Sequence, residues 1–215
     1  MITIHKNKTI IQDKNMLDKL KLEFEKTHSI VLDSLLSTDL KGFISQQLEK
    51  ANYIKKSHRG KNDYLIGEEY IVQDDNILCN MLFLLMNRNE YLEAIRYITG
   101  LDKIRSFSGR IYKLDASDDC FDNWHDDFTP KEGRLVGISL NLSEGNYEGG
   151  HFLLRTKNTD KIHKEIFYKN WGTAHLFRIG KTLEHKVTKI SGTIPRIAYA
   201  GWFRSEMGFK DYLKS

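Results

Sequence analysis

The chain has 215 residues, of which 29% are charged, 40% hydrophobic and 11% aromatic, and its formal net charge is +4. This is the profile of a folded, water-soluble chain that can bury a sizeable core, and it excludes a disordered or membrane-embedded protein. The 33 basic residues are scattered among 29 acidic ones, so no nucleic-acid-binding patch stands out. The most apolar stretch, "ILCNMLFLLM", is too short to span a bilayer. No export signal is evident, and Cys79 and Cys120 have neither metal-type nor redox-type spacing. A cytoplasmic protein with unbridged thiols is expected, without nucleic-acid or membrane partners.

No repeat or low-complexity segment divides the chain, so one domain over residues 1–215 is expected. Met16, Leu17, Leu20 and Phe24 recur at helical spacing and predict a helix from about Lys14 to Lys26. The run "SIVLDSLL" predicts a strand. Ser37 or Thr38 can cap a second helix, on which Phe43, Ile44, Leu48 and Ala51 share a face. The basic run "KKSHRGK", residues 55–61, is read as a solvated helix end and loop. A further helical stretch covers about Asn76 to Ile98, with a break near "NRN" and a stop at Gly100. Residues up to about 100 thus form a mainly helical support.

Beyond Gly100 the pattern becomes β-rich: "GRIYKL", "RLVGISLNLS", "GHFLLR", "AHLFRI", "EHKVTKI" and "RIAYAGWFR". Several short strands at such spacing suit a sandwich or jelly roll over about 101–205, whose open end can hold a small ligand.

In "FDNWHDDF", His125 and Asp127 lie two positions apart. On an extended segment their side chains share a face and can grip one ion, with Asp126 turned away. The same residues also suit a polar turn before "TPKEG", so the pair needs a partner. His151, His163, His175 and His185 are the candidates. His163 lies in a charged, loop-like stretch, His151 begins a strand, and His175 shares a face with Phe177 by alternation. His185 closes "KTLEH". Arg196 stands on the apolar strand "RIAYAGWF", where burial is costly unless the guanidinium meets an anion.

Together these residues resemble the iron(II) and 2-oxoglutarate-dependent oxygenases, in particular their prolyl-hydroxylase-like branch, over about residues 30–204. The likeness rests on "HDD", "LEHKV" and "IPRIAYAGWF" in that order, with "RLVGISLNLSE", "EGGHFLLR" and "GTAHLF" in support. It implies an α+β fold with a double-stranded β-helix (jelly roll) core and N-terminal packing helices. It also implies His125, Asp127 and His185 as iron(II) ligands, and Arg196 as the partner of the distal carboxylate of the cosubstrate. Tyr112 and Asn141 match strand positions that face the cosubstrate in relatives, although close relatives commonly have tyrosine where Asn141 stands. Related halogenases lack the carboxylate ligand, so Asp127 favours hydroxylation.

The expected activity is hydroxylation of an unactivated C–H bond with O2, coupled to decarboxylation of 2-oxoglutarate to succinate. The expected substrate is an amino-acid residue in a peptide or protein, with a free amino acid or natural-product small molecule as the alternative. Two other classes remain open: a zinc-dependent hydrolase built on the same three ligands, and a metal-binding β domain without turnover. A zinc hydrolase has no need of Arg196. Trp202 is read as core packing or pocket lining. Residues 115–123 are read as a solvated loop or a lid.

Overall fold

A hairpin of β1 (Ile2–Ile4) and β2 (Thr9–Ile11) precedes the first helix, α1 (Lys14–Thr27). Asp13 opens α1: its carboxylate accepts the Asn15 N–H at 2.9 Å, replacing a bond the first turn leaves unmade. Leu17 and Phe24 form the buried stripe of α1, close to the span that the apolar period predicts. The computed structural model describes residues 1–59, 64–73, 76–116, 120–145, 147–167 and 170–206.

After β3 (Ser29–Leu32) come α2 (Lys41–Glu49), β4 (Tyr53–Arg59), β5 (Leu65–Val72), α3 (Ile77–Met86) and α4 (Asn89–Thr99). The break between α3 and α4 falls at "NRN": the Asn87 amide donates to the carbonyl oxygens of Phe83 and Phe107, at 2.9 and 3.0 Å, and ties the break to the sheet. Gly100 ends α4 at φ 67°, a left-handed conformation that glycine adopts without a Cβ clash. Among the described residues, the first hundred are therefore less helical than expected, since five strands accompany the four α-helices. The basic run read as helix end and loop is a strand. β4 pairs with β5 from Tyr53↔Val72 to Arg59↔Leu65, a non-local pairing that local propensity does not report. Residues 60 and 61 of that run lie outside the described residues.

The remaining strands are β6 (Ser106–Leu114), β7 (Phe121–His125), β8 (Arg134–Asn141), β9 (Glu148–Gly149), β10 (Phe152–Thr156), β11 (Ile162–Ile166), β12 (Ala174–Arg178), β13 (Leu183–Val187), β14 (Ile190–Ser191) and β15 (Arg196–Arg204). Eight of them make two four-stranded antiparallel layers, ordered β6-β15-β8-β12 and β7-β13-β10-β11. β5 joins the layers along one side, pairing with β6 at Tyr70 and Ile71 and with β7 at Gly67 and Glu68. The result is a nearly closed jelly roll, as expected.

Alternation sorts the first layer's side chains. Ile111, Ile138, Leu176, Tyr199 and Phe203 pack outward against the helices, in one cluster with Phe24, Leu82 and Ile95. Tyr112, Phe152, Leu154, Phe177, Leu183, Val187 and Ala198 fill the space between the layers. Each fully buried large apolar side chain contributes roughly 1.5–3 kcal/mol. Among the described residues, no helix is long and apolar enough to cross a membrane.

Candidate active site

The space between the layers opens into a cavity of about 450 Å³. On the inner face of the second layer, β7 and β13 run antiparallel with His125 opposite His185. Their rings lie 4.3 Å apart, centroid to centroid. Asp127 follows just past the end of β7. One ligand atom each from His125, Asp127 and His185 fall within 4.8 Å of one another. Asp126 turns away, as expected, pairing with Lys157 and accepting the Phe128 N–H at 3.2 Å. The two candidate histidines thus come from neighbouring strands, and the ladder register holds them face to face.

Each of the three is held by further contacts. The His125 Nδ1–H donates to the Asn123 carbonyl at 2.7 Å, which leaves Nε2 as the free lone pair for a metal. The Trp202 indole N–H donates to Asp127 Oδ2 at 2.8 Å, and Arg134 approaches Oδ1 at 3.4 Å. Phe152 and Phe177 pack on His185, with centroids at 5.6 and 4.5 Å. Burial pushes the Asp127 carboxyl up, but His185, His125, the indole N–H and Arg134 outweigh it and hold the carboxylate below its usual range. Burial, reinforced by His125, pushes His185 down to about 3 against the pull of Asp127, so the imidazole is neutral at physiological pH. Burial also lowers His125, but Asp122 and Asp127 prevail and raise it. Burial raises Asp122 to about 6, against His125. Two imidazoles and a carboxylate on one side of an ion, with the other positions open, is the donor set of non-haem iron(II) oxygenases.

Arg196 lies deeper in the same cavity and is fully buried. Its guanidinium donates to the Tyr112 hydroxyl and, at 3.0 Å, to Ser139 Oγ. Hydroxyls orient the fork, and its planar donors suit a carboxylate entering the cavity.

The structure brings together His125, Asp127 and His185, and places Arg196 and Tyr112 in the same cavity. Asn141 does not line that cavity: its amide donates to the Asn170 carbonyl at 3.1 Å, and its Oδ1 accepts the Ser143 N–H at 3.2 Å at the end of β8. Ser139, one pleat earlier on β8, stands beside Arg196 instead. Alternation puts residues 139 and 141 on one face, so the sequence held the signal for the face but not for the depth. Arg134 was missed as well. Trp202 lines the cavity and bonds Asp127 rather than serving as packing alone.

Among the other histidines, His151 meets Glu165 at 2.7 Å and stacks on Phe167. His163 lies on β11 rather than in a loop, with its ring against His28. His175 lines the cavity beside Phe152, as its alternation with Phe177 implied, but does not join the three candidate ligands. Of the segment 115–123, residues 117–119 lie outside the described residues.

Comparison with known proteins agrees with this geometry. Residues 110–204, which carry every candidate ligand, match the 2OG-Fe(II) oxygenase superfamily. No curated protein matches the chain in sequence. Among solved structures, a 2OG-Fe(II) oxygenase family oxidoreductase from Burkholderia pseudomallei superposes with TM-score 0.68 at 11% identity, covering 93% of this chain and 95% of the other. A Pseudomonas putida prolyl-4-hydroxylase gives 0.60 at 17% identity over 88% and 98%. A Trichoplax adhaerens prolyl hydroxylase, solved with a hypoxia inducible factor peptide fragment, gives 0.61 at 15% identity over 98% and 99%. These likenesses concern the fold. The superfamily match lies over the cavity-forming strands, and it supports a 2-oxoglutarate-dependent dioxygenase working with Fe(II), 2-oxoglutarate and O2.

Proposed function

We propose that His125, Asp127 and His185 hold the iron(II), that Arg196 with Tyr112 and Ser139 receives the distal carboxylate of 2-oxoglutarate, and that the enzyme hydroxylates an unactivated C–H bond of an amino-acid residue in a peptide or protein. The observation that carries this reading is the shared cavity, with the three candidate ligands on one layer and a fully buried guanidinium on the other. A zinc hydrolase has no use for that guanidinium.

When bound, iron with its cosubstrate and O2 supplies oxidation of the C–H bond, coupled to decarboxylation of 2-oxoglutarate to succinate. The chain's own residues supply position. Trp202 and Arg134 fix the Asp127 carboxylate, and the Asn123 carbonyl fixes the His125 tautomer. Tyr112 and Ser139 hold the Arg196 fork in a plane where a carboxylate can meet it with two parallel bonds. Phe152 and Phe177 wall the cavity beside His185 and keep water from that side.

Support for a peptide substrate comes from the cavity mouth, where Lys56, His58 and Arg59 of β4 line the opening. Among the described residues β4 pairs with β5 at the margin of the sheet, and a marginal strand can receive an extended chain. The Trichoplax neighbour was solved with a peptide.

The test is anaerobic titration of the purified protein with iron(II) and 2-oxoglutarate, following the weak visible band of the chelate. The band is expected in the wild type, absent in His125→Ala, Asp127→Ala and His185→Ala, and shifted to much higher cosubstrate concentration in Arg196→Ala. Tight zinc binding without a band would overturn the reading.

A further inference from the structure

Arg110 faces the cavity from β6, two residues before Tyr112, and neither the ion nor the cosubstrate end employs it. Its Nε–H donates to Glu69 Oε1 at 2.7 Å, and the same oxygen lies 2.7 Å from His58 Nε2. The pair is asymmetric: the Arg110 side chain is 28% exposed and the Glu69 side chain 10%. Both side chains line the cavity, and the cation is the more exposed of the two. Beyond Glu69, no side chain among the described residues accepts a hydrogen bond from that guanidinium.

The position is also suggestive. Along the cavity face of β15 come Arg196, Ala198, Ala200 and Trp202 in order, with Arg110 directly across from Ala200 on β6. The Arg110 guanidinium lies 5.6 Å from the centroid of Trp202, the indole that bonds Asp127. Arg110 therefore stands on the mouth side of the metal ligands, whereas Arg196 stands on the deep side. A guanidinium whose Nε side is braced by a buried carboxylate still presents its remaining donors as a planar fork.

We propose that Arg110 is the substrate-anchoring cation and that the substrate carries a carboxylate, supplied either by a free amino acid or by a peptide with an acidic side chain. A monoanion suits the site better than a phosphate dianion, because Glu68, Glu69, Asp122 and Asp127 line the same cavity and repel added negative charge. The proposal rests on the oxygenase reading. Arg110 would then fix how far the carboxylate lies from the oxidised carbon and so set specificity.

The experiment uses the iron(II)-loaded, 2-oxoglutarate-loaded protein without O2. Thermal shift and perturbation of the visible chelate band report binding of three probe sets: the common L-amino acids, their primary amides, and capped peptides with Asp or Glu against the same peptides with Asn or Gln. A carboxylate probe is expected to bind and its amide counterpart to bind about 10- to 100-fold more weakly. Binding confined to free amino acids, or to acidic peptides, identifies the source of the carboxylate.

Arg110→Lys, which keeps a charge against Glu69, and Arg110→Met combined with Glu69→Gln, which removes the buried pair together, should each weaken the carboxylate probe to a similar extent. Both should leave the 2-oxoglutarate titration unchanged. Equal binding of acids and amides, no carboxylate probe binding the wild type, or a loss of 2-oxoglutarate affinity like that of Arg196→Ala would each overturn the proposal. A wild type that forms no chelate at all would instead sink the oxygenase reading beneath it.

Discussion

Trp202 contributes one donor to the candidate metal site, and that donor is separable from its ring. Trp202→Phe keeps an aromatic face under Arg134, whose guanidinium lies 3.7 Å from the ring centroid, but removes the N–H on Asp127. Losing a partner that orients a ligating carboxylate typically costs 10–100-fold in metal affinity. Titration with Co(II), a spectroscopic stand-in for Fe(II), should show a loss of about that size, with the unfolding midpoint little changed. Unaltered affinity would mean that Arg134 alone orients the carboxylate. Protons give a second prediction at this scale. Ligation needs unprotonated imidazoles, and the two histidines differ: His185 is held near 3 by burial, while Asp122 and Asp127 keep His125 above its ordinary value. Metal affinity should therefore rise with pH until the raised His125 pKa is passed and then level off, releasing a single proton per metal from this pair. A two-proton slope in the Co(II) titration would show that His185 is also protonated, contrary to its burial.

Elements decide whether those residues meet. β8 carries Gly137 opposite Phe177 of β12, and a Cβ built at that glycine would fall 2.1 Å from the Phe177 ring. The ring in turn packs 4.5 Å from His185. Gly137→Val should push Phe177 towards His185, costing about 1–3 kcal/mol of stability by overpacking and weakening the metal. Phe24→Ala, in the helix layer, should cost about 3–5 kcal/mol in urea unfolding while leaving metal affinity unchanged. The same elements show how far the sequence could be read. "RIAYAGWFR" coincides with β15 because alternating burial on a strand leaves a direct mark, whereas the choice of His185 among four candidate histidines comes from the family resemblance rather than from the residues alone. β4 was misread because its order comes from pairing with β5, and its solvated charged face shows no apolar period. β7 was missed because "FDNWH" has no alternation to see; it is a strand by virtue of β13 and a bulge between them. The Trp202–Asp127 bond joins residues 75 positions apart, a contact set by the closing of the layers rather than by any local pattern.

At the scale of the molecule, the cavity divides its tasks between two layers. His125 and His185 belong to the β7-β13-β10-β11 layer, whereas Arg196, Tyr112 and Ser139 belong to the β6-β15-β8-β12 layer. Asp127 is tied across the gap, since its partners Trp202 and Arg134 stand on β15 and β8. A cosubstrate that chelates the metal at one end and meets Arg196 at the other would span both layers, so the two ligands should bind with positive coupling. By linkage, the factor by which metal improves 2-oxoglutarate affinity equals the factor by which 2-oxoglutarate improves metal affinity. At ligand concentrations near 100 times the dissociation constant, binding adds about 2.7 kcal/mol to stability. For a chain of this length that corresponds to roughly 5–10 °C in the unfolding midpoint. Metal alone should produce a shift of its own, 2-oxoglutarate alone little, and the two together more than the sum. Arg196→Ala should keep the metal shift and lose the excess, because it cuts the tie to the β6-β15-β8-β12 layer while leaving the candidate ligands intact. Strictly additive shifts in the wild type would mean that the cosubstrate does not bridge the layers.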